Sequence, residues 1–175
     1  MSTIDPALLS LTAVAKAIAD RQGSSREVTQ ACLDRIAQWQ PKLSAFMALE
    51  ANEALAAAAE ADAALARGEV RGALHGVPLA HKDMYYDAGR VVTCGSRIRR
   101  DWVATTTATV LQRLRRAGAV RLGALQMAEF AYGPTGHNAH YGAVNNPWGL
   151  DRITGGSSSG SGAAVAACLT FAALG

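Results

Sequence analysis

The run Gly155-Gly156-Ser157-Ser158-Ser159-Gly160-Ser161-Gly162-Ala163-Ala164-Val165-Ala166-Ala167 constrains this chain more than any other stretch. Three consecutive hydroxyls on a glycine-rich loop, opening a helix of small residues, suit nucleophile and proton-transfer chemistry. A flexible linker is excluded by the apolar helix and strand that follow without a break. A phosphate loop needs a lysine after its last glycine, and a dinucleotide fingerprint needs a third glycine after Gly160 and Gly162, so neither pattern is met. Gly156-Ser157-Ser158-Ser159-Gly160 does fit the Gly-x-Ser-x-Gly nucleophile elbow. That motif requires a hydrophobic strand directly before it, whereas Asn145 to Thr154 reads as a polar loop containing Pro147.

The second candidate group is Lys82, at the end of the apolar run from Leu74 to Met84, which Gly76 and Pro78 punctuate. A strand here carries His81-Lys82-Asp83 to its end, and period-2 alternation points His81 and Asp83 away from Lys82. A lysine in this position is either exposed at a strand end or buried as a base. The second role needs a neutral amine, which burial away from other cations provides by lowering the pKa.

Elsewhere the pattern alternates helix and strand. Leu11, Val14 and Ile18 mark a first helix ended near Gly23, and Ser24 with Glu27 forms a capping box opening a second, with Val28, Cys32 and Ile36 on one face, stopping before Pro41. Ala45 to Leu49 reads as a strand, Ala51 to Arg67 as an alanine-rich helix ending at Gly68, Thr107 to Ala117 as a helix and Ala119 to Leu125 as a strand. Tyr132 to Gly155 reads as a long loop, then Ser161 to Cys168 as a helix and Leu169 to Leu174 as a strand. The fold expected is α/β, a mixed central sheet flanked by helices.

Composition narrows the function classes. At 175 residues, 50% hydrophobic and 18% charged, the chain can bury a core. The net charge of +3 is spread over scattered bases, and the clusters Arg97, Arg99, Arg100 and Arg115, Arg116 read as solvated faces, so no direct nucleic-acid contact is expected. Cys32, Cys94 and Cys168 are odd in number and widely separated, with no Cys-x-x-Cys pair, so neither a disulfide framework nor a zinc site is suggested, which fits a reducing cytoplasm. The segment from Ile153 to Gly175 holds only about 14 apolar-type residues, too few to span a membrane. His137 and His140 lack the accompanying carboxylates or cysteines of a metal site, and Trp102 and Trp148 read as core or rim residues.

Several separated segments agree in order with one family. His75-Gly76-Val77-Pro78, Lys82-Asp83, Thr93-Cys94-Gly95-Ser96, Met127-Ala128-Glu129-Phe130-Ala131, Asn146-Pro147-Trp148 and the Gly-Gly-Ser-Ser run together resemble the N-terminal portion of the amidase signature family. Ser25-Arg26-Glu27-Val28 and Leu33-Asp34-Arg35-Ile36 are similar too.

The resemblance implies an amide hydrolase using a serine–serine–lysine relay, without metal or cofactor, acting on a small-molecule amide. Lys82 would be the neutral base and Ser157 the bridging serine, in a cis peptide bond. Met127 and Ser158 would line the substrate, and Glu129 would pack or hydrogen-bond under the serine loop. The attacking serine of that family lies roughly two dozen residues past the first serine of the run. It is therefore expected beyond Gly175, with residues 1–41 forming a helical hairpin and 42–175 the start of the α/β core. A homo-oligomer is one option for its assembly. Two other readings stay open. One is an A-subunit-like component of a glutamine-dependent aminoacyl-tRNA amidotransferase, against which Ala128 weighs because such proteins usually carry an acidic residue there. The other is a non-catalytic fragment or binding module.

Overall fold

The computed structural model describes residues 5–175. Its helices are α1 (Leu11–Ala19), α2 (Ser25–Leu43), α3 (Ala51–Ala66), α4 (Thr109–Arg116) and α5 (Ser159–Ala166). The strands are β1 (Phe46–Leu49), β2 (Pro78–Lys82), β3 (Val120–Leu125), β4 (Asn145–Asn146), β5 (Gly149–Ile153) and β6 (Ala173–Leu174). One four-stranded sheet runs β1-β3-β2-β6, and β4 pairs with β5 in a separate hairpin. The sheet is mixed: β2 is parallel to β3 and β6, while β1 lies antiparallel on the β3 edge. This is the α/β architecture expected.

The sheet is anchored by its centre. Every residue of β2 is buried, as parallel strands covered on both faces require. Leu122 and Leu125 of β3 join Cys32, Ile36 and Leu43 of α2 and Ala163 and Ala164 of α5 in one core. A second cluster sets Val14 and Ile18 of α1 and Val28 of α2 against Val77 and Leu79.

Local chemistry explains the helix ends. Ser24 Oγ accepts the Glu27 N–H at 3.0 Å and Glu27 Oε2 accepts the Ser24 N–H at 2.9 Å, which completes the capping box. The second helix does not stop before Pro41. Proline there sits in the final turn, where its fixed φ is helical and only one amide is lost, and Leu43 beyond it is fully buried. Ser44 in the left-handed region then ends the helix, its N–H donating to the Gln40 carbonyl at 2.9 Å.

Two other expectations change. The long loop from Tyr132 contains the β4–β5 hairpin, whose polar, mostly exposed residues gave no alternating apolar signal. The strand expected over Leu169 to Leu174 shrinks to Ala173–Leu174, because Cys168 turns the chain with φ 55° and the Leu169 N–H reaches back to the Ala164 carbonyl at 2.8 Å.

The arginines expected on solvated faces also divide differently. Arg115 donates to fully buried Asp87 at 2.5 Å, and Arg99 stacks 3.7 Å from the Trp102 ring centroid. Trp148 is neither core nor rim: it is 85% exposed at the β4–β5 turn. Among the described residues no helix is long and apolar enough to cross a membrane.

Candidate active site

The parallel register sets Lys82 opposite Leu125 at the ends of β2 and β3. Beyond β3 the chain crosses under α5, where the Gly160 N–H donates to the Gln126 carbonyl at 2.9 Å. A Cβ on Gly160 would stand 2.4 Å from the Ala45 carbonyl oxygen and 2.6 Å from the Gln126 backbone, so only glycine lets the helix start come this close. Gly156 is equally tight, a Cβ there falling 2.6 Å from the Gly133 oxygen. The serine loop is thereby pressed against the end of β2.

The outcome is a lysine with two hydroxyls. Lys82 is 3% exposed, and its Nζ donates to Ser157 Oγ at 2.8 Å and to Ser158 Oγ at 2.7 Å. The Gly156–Ser157 peptide is cis. Burial lowers the Lys82 pKa below the ordinary lysine range, and among the described residues no carboxylate touches the amine to oppose it. Ser157 is fixed from its other side, because the Ala128 N–H donates to its carbonyl at 3.0 Å.

Asp83 points away from the amine, as strand alternation predicts. Its Oδ2 accepts the Thr93 N–H at 3.1 Å and, in a short contact, the Thr93 hydroxyl, while its backbone carbonyl accepts the Cys94 N–H at 2.9 Å. The carboxyl thus anchors the 93–96 turn beside Lys82. Burial pushes its pKa up to about 6 despite the hydrogen bonds from Thr93 and Gly95, which act the other way.

The remaining candidates fall outside this contact. Met127 is fully buried, and its carbonyl accepts from Asn138 Nδ2 at 2.9 Å. Glu129 does not lie under the serine loop: it accepts from Ser96 Oγ at 2.6 Å and pairs with His140 Nε2 at 3.0 Å, while Ala128 takes the place below Ser157. His137 bonds Thr135 Oγ1 at 3.0 Å. Cys94 is buried, and burial raises its thiol pKa.

Two organising residues escaped the sequence reading. Buried Asn138 donates to the Gly95 and Met127 carbonyls at 2.7 and 2.9 Å and accepts the His140 N–H at 2.8 Å, fastening the 93–96 turn to the stretch after β3. Nothing in its polar, glycine-rich neighbourhood marked it. His81, beside Lys82, is 4% exposed and contacts half-buried Arg121, a pairing visible only once β2 and β3 are in register.

With this geometry in place, kinship follows from comparison. Residues 27–175 match the Amidase family, and the chain belongs to it. The A-subunit of glutamyl-tRNA(Gln) amidotransferase from Pseudomonas aeruginosa is 49% identical over 167 residues, covering 95% of this chain and 34% of that protein. Its counterpart of the same name from Acidothermus cellulolyticus is 51% identical over 162 residues, covering 91% and 32%. Among solved structures, the peptide amidase of Stenotrophomonas maltophilia superposes with a TM-score of 0.88 at 34% identity, over 95% of this chain and 35% of that one. The chain spans about a third of the length of the curated relatives it matches.

Proposed function

We propose that this chain carries the proton-moving part of an amide-hydrolysing site, with Lys82 as base and Ser157 as bridge. The observation that carries the reading is the buried Lys82 amine, 2.8 Å from Ser157 Oγ in a member of the Amidase family. Such a separation is short enough for direct proton transfer. The neutral amine takes the Ser157 hydroxyl proton as Ser157 Oγ takes that of an attacking serine. The attacking oxygen bonds to the amide carbonyl carbon, and the proton returns by the same route to the departing ammonia or amine as the carbon–nitrogen bond breaks. Water then releases the acid from the acyl-enzyme. The attacking serine is assigned to the part of the relatives' length that this chain does not span.

A second, narrower reading is favoured by the identity to proteins named for glutamyl-tRNA(Gln) amidotransferase. In that case the amide is glutamine and the released ammonia passes to a partner protein. The two share one chemistry and differ in whether turnover needs the partner.

In the complete enzyme, Lys82→Ala and Ser157→Ala should each lower ammonia release by on the order of 10²–10⁴-fold or more while the unfolding transition stays in place. Near-native turnover in Lys82→Ala would overturn the base assignment. Glutamine turnover that rises only on adding partner proteins selects the narrower reading; partner-independent hydrolysis of a peptide carboxamide selects the broader one.

A further inference from the structure

We propose that His81 is a positioning residue for Lys82, acting as a neutral imidazole whose Nδ1–H holds the Lys82 carbonyl and whose Nε2 lone pair is held by Arg121. The proposal rests on the reading of Lys82 as base. Its ground is donor bookkeeping. Arg121 Nε stands 2.9 Å from His81 Nε2, and an arginine can only donate, so Nε2 must be the acceptor. The ring proton is then on Nδ1, which faces the Lys82 carbonyl at 3.1 Å and donates to it.

That carbonyl also receives the Met84 N–H at 2.8 Å and the Tyr85 N–H at 3.3 Å. Three donors on one oxygen mark the point where β2 stops and the chain turns, which is the residue whose side chain carries the amine. His81 works from the opposite face of the strand and touches none of the serines. Its influence on the amine runs through the Lys82 peptide.

The surroundings keep the ring uncharged. Facing it are Arg121 from β3, Arg115 from α4, Asp87 from the segment after β2, and the Tyr85 ring edge-on at 6.3 Å. Arg121 pairs closely with Glu50, which precedes α3, and lies 3.4 Å from Asp87, while Arg115 bonds both Asp87 oxygens at 2.5 and 2.6 Å. Both carboxylates are therefore already engaged by guanidinium groups. A second ring proton would point the Nε2–H at the Arg121 N–H with nothing to accept it. The cavity bordering His81, Arg115 and Arg121 measures about 30 Å³, room for about a water molecule and not for another ionic side chain. Burial acts in the same direction, pushing the imidazole below its usual range.

The two arms of the ring can be separated by substitution. His81→Asn retains a donor near the Nδ1 position, His81→Gln retains an acceptor for Arg121, and His81→Phe retains neither. In the complete enzyme, His81→Phe and His81→Gln should lose on the order of 10-fold in kcat with KM little changed, and His81→Asn should recover most of it. A structural role alone would not favour asparagine over glutamine.

Ring ¹⁵N NMR at neutral pH should show Nδ1 protonated and Nε2 bare, whether or not the sample turns over. An Nε2–H tautomer, a charged ring, or an asparagine variant no better than phenylalanine would overturn the proposal. Turnover lost in Lys82→Ala but kept in all three His81 variants would sink this inference alone; turnover kept in Lys82→Ala would sink the base reading together with it.

Discussion

At the level of single residues, the site divides its work between two faces of β2. Lys82 faces the serines, and Asp83, next in sequence, faces Thr93 and holds the 93–96 turn. Asp83 also makes stability depend on pH. Its folded pKa of about 6 stands above the ordinary carboxyl value of 3.8, so the folded state binds the proton more tightly than the unfolded one. The stabilisation is complete below about pH 4 and is lost as the pH rises to about 6, a change of about 3 kcal/mol. Asp83→Asn retains an oxygen for both Thr93 donors and removes the titration. Unfolding free energies measured from pH 4 to 7 should fall in the parent relative to Asp83→Asn; parallel curves would show that Asp83 is ionised throughout. Lys82 works with the opposite requirement. In the base role proposed above its amine has to lose a proton, and burial moves that loss to lower pH than in an ordinary lysine.

Among the elements, α5 is the one whose placement has least freedom. Its first turn holds Ser159, Gly160 and Ser161, all buried, and Gly160 meets the Ala45 and Gln126 backbones with no room for a methyl group. Gly160→Ala must therefore push the helix off the sheet and carry Ser157 and Ser158 away from Lys82. In the complete enzyme proposed above, turnover should be lost together with stability, and the drop in melting temperature reports the displacement; an alanine variant of parental stability and activity would contradict the close approach. The helices and inner strands were largely legible because capping box, periodicity and alanine-rich composition report on local preferences. Lys82 and the serine run could be paired through the family resemblance, and the contact between Lys82 Nζ and both hydroxyls agrees with their proximity. The β4–β5 hairpin and two-residue β6 could not be read, since exposed polar strands lack alternation and a strand so short owes its existence to its neighbour. The Asn138 clamp and the His81–Arg121 pair were hidden for a related reason: their partners lie 11 to 43 residues away and meet only through tertiary packing.

At the scale of the molecule, the larger buried cluster lies where β3 meets α2 and α5. Leu122 is fully buried in that core, and Leu122→Ala should cost about 2–5 kcal/mol by lost burial and the cavity left behind. Chemical denaturation reads this directly, and a loss under about 1 kcal/mol would mean the surrounding side chains collapse into the space.

The register of β2 has one more consequence. Lys82 and Ser157 are 75 positions apart along the chain, and β2 gains its second neighbour only from β6, near position 173. A ribosome therefore delivers the lysine long before the hydroxyls that engage it. Through that interval the amine is an ordinary solvated cation, and contacts between such remote partners form slowly. The surroundings of the amine are thus supplied late, and a chain stopped short of position 157 would carry Lys82 without either hydroxyl that engages it.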